Sequence, residues 1–101
     1  MMNREEAKDE VFLKIAENIA QLSTCVSKQV GCVIVREGRV LSTGYNGVPS
    51  GHTHCCQVFD RDYFDRAAHS SWSATNEIHA EMNAIIFAAK SGISINHSTL
   101  Y

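Results

Sequence analysis

His79 and Glu81 stand two positions apart at the head of the apolar run "MNAIIFAAKSG", and both side chains can do chemistry. A histidine ring is a common zinc ligand, and a glutamate beside a bound water can carry protons. On a helix, side chains two positions apart point about 200° apart, so the glutamate is free to act without binding the metal. An ordinary helix start, where the dipole favours a glutamate, is the simpler interpretation of this pattern taken by itself.

Four cysteines are the second chemical feature of the chain. The charged N-terminal segment "MMNREEAKDE" has no apolar stretch of the secretory kind, which favours metal ligands or buried thiols over disulfides. Cys32 lies in an apolar strand and is expected to be a core residue. Cys55 and Cys56 are adjacent, so their side chains diverge, and no two cysteines form a C-x-x-C pair. The same loop carries His52 and His54.

The composition predicts one small globular domain over residues 1–101. Hydrophobic residues make up 45% and charged residues 20% of the chain, and the formal net charge is −2. These values exclude a disordered chain and give no basic footprint for duplex nucleic acid, although a small anionic ligand needs only a few local cations. No apolar run approaches the ~20 residues of a membrane-spanning helix, so we expect a cytoplasmic protein without a membrane partner.

The elements that must position these residues follow from the hydrophobic pattern. Asn3 and Glu6 form a capping-box pattern ahead of apolar residues at helical spacing. The predicted elements are a helix over residues 4–23, a hairpin of strands over 30–35 and 40–45 around the turn "REG", a second helix from His79 that stops near Gly92, and the start of a third strand in "STLY".

The first strand, "VGCVIV", is apolar on both faces, which indicates that helices cover both sides of the sheet. On the second helix, the spacing of Met82, Ile85, Ile86 and Ala89 predicts the face that packs against the sheet. The segment from Asp60 to Ser73 is polar with scattered aromatic residues, and it predicts either a short helix or an ordered loop.

"NEIHAEMNAIIFAA", together with "VGCVIVREGRVLSTGYNG", closely resembles the deoxycytidylate (dCMP) deaminase family, in particular its phage-type members. The resemblance runs from about Leu22 to Tyr101, and the first helix matches only in character. It implies a three-layer α/β fold of the cytidine-deaminase type and zinc-dependent hydrolysis of dCMP to dUMP in pyrimidine deoxynucleotide metabolism. Free-cytidine, guanine and tRNA-adenosine deaminases share this scaffold, but the "GYNG" loop and the Cys/His loop favour dCMP.

The resemblance also implies roles for single residues. His79 matches the family's histidine ligand of the catalytic zinc, and Glu81 matches the residue that shuttles protons between the zinc-activated water and the base. Asn46, in "GYNG", lies in the segment that resembles the nucleotide-contacting loop, and its amide suits a hydroxyl or a base edge. Lys28, ahead of the first strand, is either a phosphate contact or a solvated lysine.

The chain departs from the family in one respect. In the family a P-C-x-x-C motif follows "TLY" within several residues and supplies two zinc ligands, whereas this chain stops at Tyr101. We therefore expect an incomplete deaminase domain, truncated after the start of the third strand and inactive alone. The alternative is a non-catalytic domain that keeps the fold, is stabilised by zinc, and binds a nucleotide or assembles with full-length subunits.

A second, structural zinc is a further implication of the resemblance. Phage-type members hold it with a cysteine after the first helix, a cysteine in the long loop, a histidine before the H-A-E helix and a nearby acidic residue. Cys25, Cys55 and His69 fall on the first three positions, and Glu77 is the candidate for the fourth. The rivals for the fourth position are His54, Cys56 and a water molecule.

The family also tends to form hexamers and to respond allosterically to dCTP and dTTP, often with magnesium. The resemblance therefore implies a homo-oligomer when the protein is full length, with these nucleotides as effectors. Lys90 falls where phage-type members have a basic residue linked to nucleotide regulation and subunit contacts. A lysine favoured by the C-terminal end of its helix is the simpler interpretation.

Overall fold

The computed structural model describes residues 2–101, which form four helices and three strands. In chain order the elements are α1 (Arg4–Ala20), β1 (Gly31–Arg36), β2 (Arg39–Tyr45), α2 (Cys55–Val58), α3 (Arg66–Asn76), α4 (Ala80–Lys90) and β3 (Thr99–Leu100). Asn3 caps α1 as predicted, because its side-chain oxygen accepts a hydrogen bond from the Glu6 N–H at 2.9 Å. Among the described residues, no helix is both long enough and apolar enough to span a bilayer.

The three strands form one antiparallel sheet in the order β2-β1-β3. The predicted hairpin is confirmed, with Arg36 paired to Arg39 at its turn. Glu37 and Gly38 make this turn with φ angles of 53° and 72°, a left-handed conformation that glycine adopts at little steric cost. The predicted third strand is confirmed as β3, which pairs with the other edge of β1.

The central strand β1 buries side chains on both of its faces, as its sequence predicts. Alternate residues of a strand point to opposite sides of the sheet, and here each side meets a different helix. The cluster between β1 and α1 consists of Phe12, Ala16, Val33 and Val35. The cluster between β1 and α4 consists of Cys32, Ile34, Ala80 and Ala84. The three-layer α/β architecture and the core position of Cys32 are thereby confirmed.

Glycines let both helices approach the sheet closely. A Cβ at Gly31 would clash with the Ala16 carbonyl oxygen of α1. A Cβ at Gly44 would clash with the Ala80 carbonyl oxygen of α4 and would lie 2.5 Å from the Ala84 nitrogen. Main-chain atoms cannot yield to such contacts, so both positions need a residue without a side chain.

This close approach corrects the predicted packing of α4. The buried residues of the helix are Ala80, Ala84 and Ala88, because a helix this near to the sheet leaves room only for small side chains. The four residues predicted to face the sheet, Met82, Ile85, Ile86 and Ala89, are exposed instead.

Two other boundaries differ from the sequence prediction. Helix α1 ends at Ala20, three residues before its predicted end at Ser23. The segment for which a short helix and a loop were both open contains the start of α3, whose first residue is Arg66. The predicted stop of α4 is confirmed, since Ser91 is its C-cap and Gly92 follows with a φ of 69°.

Candidate metal centre and active site

Four side chains that can bind a metal meet in the interior, and they are Cys25, Cys55, His69 and Glu77. Their ligand atoms all lie within 4.8 Å of one another. Cys25 Sγ lies 3.5 Å from His69 Nε2 and 3.4 Å from Glu77 Oε1. Within residues 2–101, this is the only group of three or more Cys, His, Asp or Glu side chains that is arranged to hold a metal ion. We refer to it as the metal cluster.

Three parts of the chain position the four ligands of the metal cluster. Cys25 lies in the segment between α1 and β1, and Cys55 is the first residue of α2. Asp65 starts α3 by accepting a hydrogen bond from a main-chain N–H one turn on, and this helix carries His69 on its buried side. Glu77 is the C-cap of the same helix.

An aromatic wall surrounds the histidine of the cluster. The ring centroids of Phe59 and Phe64 lie 5.2 and 5.3 Å from that of His69. Trp72 packs on Phe59 with its centroid 5.7 Å away. These contacts restrict the orientation of the imidazole.

The two rival protein ligands lie outside the metal cluster. Cys56 is exposed although its neighbour Cys55 is buried, because adjacent side chains of α2 point in different directions. His54 Nδ1 lies 3.4 Å from Thr24 Oγ1 at the surface. The structure therefore brings together the four residues that the sequence analysis favoured.

The metal cluster contains a buried carboxylate oxygen that no described residue satisfies. The Glu77 side chain is 5% exposed, and among the described residues its Oε2 has no hydrogen-bond partner. Burial raises the pKa of the Cys55 thiol to about 11, although the Val26 N–H donates to its sulfur at 3.3 Å. A buried carboxylate oxygen without a partner is costly. A divalent cation would satisfy it, and a set of two cysteines, a histidine and a carboxylate suits zinc.

His79 and Glu81 lie at the start of α4, as predicted. His79 is the N-cap residue, and its ring makes no capping hydrogen bond, so the helix start does not use the imidazole. Glu81 lies in the first turn, where the helix dipole favours a carboxylate. Burial, and secondarily the charge of Glu81, raises the pKa of the Cys32 thiol beneath the helix.

The described residues do not fit a complete catalytic zinc site at His79. Such a site needs about three protein ligands and an open position. Residues 2–101 place no group of three ligands at His79, because the one group they form is the metal cluster. Neither Cys32 nor any other cysteine takes the place of the missing ligands.

Asn46, predicted to contact a nucleotide, holds the segment that leads into β1. Its Oδ1 accepts a hydrogen bond from the Val30 N–H at 2.9 Å, and its Nδ2 donates to the Lys28 carbonyl at 2.8 Å. Its own carbonyl accepts from Ser23 Oγ at 2.8 Å. The amide keeps one hydrogen and one lone pair for a ligand. The Lys28 side chain is exposed, and only the main chain of that residue contacts Asn46.

A cavity of about 230 Å³ lies between the metal cluster and the start of α4. Its lining includes Asn46 and His79, two of the predicted site residues, together with Cys25, Glu77 and Ser73. Lys28 and Glu81 do not line it. A small ligand in this cavity would contact Asn46 and His79 at the same time. We call this space the nucleotide cavity, after the ligand that is proposed for it below.

Asn83 is a residue that the sequence analysis missed. Its Nδ2 donates to the Tyr45 carbonyl at 2.8 Å and lies 3.5 Å from the Ile78 carbonyl. Asn83 therefore ties the first turn of α4 to the end of β2 and to the residue before His79. An asparagine within an apolar helical run has a low helix propensity, and this was the signal that could have found it.

The sequence profile described as "Cytidine and deoxycytidylate deaminase zinc-binding region" matches residues 6–101. The deoxycytidylate deaminase of Enterobacteria phage T4 is 39% identical in an alignment that covers 93% of this chain and 65% of that protein. The deoxycytidylate deaminase of Saccharomyces cerevisiae is 40% identical, with 92% of this chain and 29% of that protein covered.

Solved structures give the same result. The dCMP deaminase from the cyanophage S-TIM5, in complex with dCMP and dUMP, has a TM-score of 0.71 and 36% identity to this chain. The match covers 99% of this chain and 65% of that one. The chain thus spans about two thirds of the T4 and S-TIM5 proteins. The profile match extends over the H-A-E helix and all four residues of the metal cluster, and the chain therefore belongs to the cytidine and deoxycytidylate deaminase zinc-binding family.

Proposed function

We propose that this chain carries the His–Glu part of the active site of a dCMP deaminase, which hydrolyses dCMP to dUMP and ammonia. The observation that carries the proposal is the meeting of Asn46 and His79 on one cavity, at the start of the helix whose first turn holds Glu81. The names of the T4 and S. cerevisiae relatives, and the dCMP and dUMP bound to the S-TIM5 protein, support this choice of substrate.

Glu81 is the proposed proton carrier of the reaction. Water adds to C4 of the base, and Glu81 takes one of its protons and delivers it to N3. The remaining hydroxyl proton then passes through Glu81 to the amino group, which leaves as ammonia while the keto group of dUMP forms. Glu81 lies in the first turn of α4 and His79 is its N-cap, so the proposed proton carrier and the proposed zinc ligand share one end of the helix.

His79 is proposed as one ligand of the catalytic zinc in the whole enzyme. Because residues 2–101 place no group of three ligands there, we expect the 101-residue chain alone to release no ammonia from dCMP. The same observation favours a second candidate function, a non-catalytic domain that binds a nucleotide or assembles with longer subunits.

Asn46 and Lys28 are the proposed nucleotide contacts. The free hydrogen and lone pair of the Asn46 amide suit a sugar hydroxyl or a base edge. The hydrogen bonds of Asn46 to the main chain fix its orientation before a ligand arrives, which lowers the entropic cost of binding. The exposed ammonium of Lys28 lies on the segment that Asn46 holds, and we assign it to the phosphate.

We also propose zinc as the ion of the metal cluster. When bound, zinc would give Glu77 Oε2 the cationic partner that it lacks among the described residues. It would also cross-link the segment after α1 to α2 and α3. Cys25, Cys55 and His69 are the other proposed ligands. Such a cross-link adds stability in a region whose core is small, since its buried apolar residues are few.

The proposal also covers the assembly of subunits, regulation by nucleotides and location in the cell. A homo-oligomer, hexameric at full length, is supported by the exposed apolar side of α4, where Phe87 is 54% exposed and Met82 51%. Effector binding of dCTP or dTTP with magnesium is supported by a separate cavity of about 430 Å³, lined in part by Asn83 and Lys90. A cytoplasmic location is supported by the cysteines, all of which are free.

An NMR titration of the chain with dCMP, dUMP and deoxycytidine tests the proposed function. We expect dCMP to shift the amide signals of Asn46 and His79, and deoxycytidine to bind more weakly because it lacks the phosphate. Asn46→Asp keeps the oxygen that accepts from the Val30 N–H but loses the donor, and should weaken dCMP binding about 2- to 10-fold, the worth of one hydrogen bond. Asn18→Ala, on the exposed side of α1, is the control.

Two results would contradict this function. If dCMP shifts no signal around the nucleotide cavity, the cavity does not bind the substrate. If Asn46→Asp and Asn18→Ala bind dCMP equally, Asn46 is not a contact. Ammonia release from dCMP by the chain alone would show that our expectation of inactivity is wrong, while supporting the reaction itself.

A further inference from the structure

The segment from Glu77 to His79 joins the metal cluster to the nucleotide cavity. Glu77 belongs to the cluster, and His79 follows two positions later as the N-cap of α4. Between them, Ile78 forms an isolated antiparallel pair with Gly47. The Ile78 N–H donates to the Gly47 carbonyl at 2.8 Å, and the Gly47 N–H donates back to the Ile78 carbonyl at 3.1 Å. Since Gly47 follows Asn46, the pair also fixes the loop of the proposed nucleotide contact.

The side-chain amide of Asn83 holds the same segment from the other side. It donates to the carbonyl of Tyr45, the last residue of β2, and lies within reach of the Ile78 carbonyl. The first turn of α4, the end of β2 and the residue before His79 are therefore joined at one point. A main-chain movement at Glu77 would therefore strain the hydrogen bonds of the adjacent Ile78.

We propose that Glu77, Ile78 and Asn83 form a positioning link, through which a cation in the metal cluster fixes His79 and Asn46 in the nucleotide cavity. The inference rests on the metal site proposed above. Among the described residues the buried Glu77 Oε2 has no partner, so without a cation the carboxylate gains free energy by moving toward water. Where this movement displaces the Glu77 main chain, His79 moves with it, because two residues of chain span at most about 7 Å, and the hydrogen bonds between Ile78 and Gly47 open.

Amide hydrogen exchange, measured by NMR on the 101-residue chain with and without zinc, tests the link. In the zinc-free chain, the Ile78 N–H should exchange faster than that of Val33, which lies in the central strand. Zinc at about 100 times its dissociation constant should slow Ile78 exchange about 100-fold, if the pair opens only when the metal leaves. The Ala7 N–H, bonded to the Asn3 carbonyl in the first turn of α1, should keep its rate because that turn frays independently.

Two exchange results would overturn the link. One is an Ile78 rate that zinc does not change. The other is an Ile78 rate equal to that of Val33 in both states, because the pair would then open only when the whole protein unfolds. Asn83→Ala should raise Ile78 exchange in the zinc-loaded chain at unchanged zinc content, with Asn18→Ala as the matched control. An unchanged rate in Asn83→Ala would remove that residue from the link.

Two further measurements distinguish a failure of the positioning link from a failure of the proposed metal site or of the proposed dCMP binding. Elemental analysis that finds no zinc in the chain would overturn the metal site and the link together. In a dCMP titration, zinc should tighten dCMP binding by the same factor by which dCMP tightens zinc binding, because coupling between two sites is reciprocal. A chain that shows the zinc effect on Ile78 but binds no dCMP would refute the proposed function and support the link.

Discussion

Replacing Gly44 with alanine should destabilise the protein and displace the start of α4. The added Cβ would clash with the Ala80 carbonyl oxygen and lie 2.5 Å from the Ala84 nitrogen, whereas ordinary contacts begin at 3.4 Å. Both atoms belong to the main chain of one helix. Relief therefore requires that α4 move away from β2 by about 1 Å, since no side chain can rotate out of the way.

The expected loss of stability combines two opposing effects. Overpacking of this kind costs about 1–3 kcal/mol. Alanine also reduces the entropy of the unfolded chain relative to glycine, which returns about 0.4–1 kcal/mol. Because both clashing atoms belong to the main chain, the upper part of the overpacking range applies, about 2–3 kcal/mol. The net loss for Gly44→Ala is then roughly 1–2.6 kcal/mol, which lowers the Tm of a domain of this size by roughly 4–20 °C.

Thermal denaturation followed by circular dichroism measures this loss, and Gly47→Ala is the matched control. A Cβ at Gly47 meets no atom within 4 Å, and its φ is not in the left-handed region, so this variant should melt at or above the parent temperature. NMR should also show shifted amide signals for Ala80 and Ala84 in Gly44→Ala alone. If Gly44→Ala melts like Gly47→Ala, the close packing of α4 on β2 is wrong.

Three further predictions concern other parts of the structure. Cys55→Ala should lose the bound zinc and about 2.7 kcal/mol of stability at zinc levels 100 times the dissociation constant, whereas the exposed Cys56→Ala should keep both, as checked by elemental analysis and melting. Ser42→Ala removes a buried hydrogen bond of 2.7 Å to a main-chain carbonyl of α4 and should cost roughly 1–2 kcal/mol in urea denaturation; a variant as stable as the parent would show that this bond contributes nothing. The hydrogen bond from Tyr101 to Asp9, at 2.6 Å, is the main cause that raises the pKa of Tyr101. The stabilisation of the folded protein by this hydrogen bond is therefore present below the usual tyrosine pKa of about 10 and is lost as pH rises through the raised pKa. In melts recorded across pH, Tyr101→Phe should not show this loss of stability at alkaline pH.

Short-range signals were sufficient for the ends of several elements. Asn3 caps α1 because its side chain reaches an N–H only three residues on. Gly38 makes the hairpin turn and Gly92 ends α4, each with a positive φ that the sequence alone suggests for glycine. These features depend on neighbours in the chain, and the sequence therefore predicted them.

The packed face of α4 could not be predicted in the same way. The apolar spacing favoured Met82 and Ile85, but the distance between helix and sheet decides which side chains fit, and Gly44 on another element sets that distance. Helix α3 was undecided for a related reason. Its only buried residue is His69, so it has no apolar stripe, and its order depends on the aromatic wall and the metal cluster.

The metal cluster was reached through family resemblance rather than spacing. Its ligands run from Cys25 to Glu77 with no regular interval, and only the fold brings them together. The low helix propensity of an asparagine marks position 83 in the sequence, but the partners of Asn83 are main-chain carbonyls outside its helix, and only the fold brings them near.

The spread of the cluster's ligands along the chain has a consequence for folding. In the unfolded chain, the densest set of side chains able to bind zinc is the local run His52, His54, Cys55 and Cys56, whereas the metal cluster of the folded protein contains only Cys55 from this run. If zinc is the ion of the metal cluster, as proposed, zinc that arrives before folding would be captured by neighbours that must later release it, and binding to the unfolded state would offset part of the stabilisation. Refolding should accordingly be faster when zinc is added after the helices have docked, and excess zinc at the start should act as a kinetic trap.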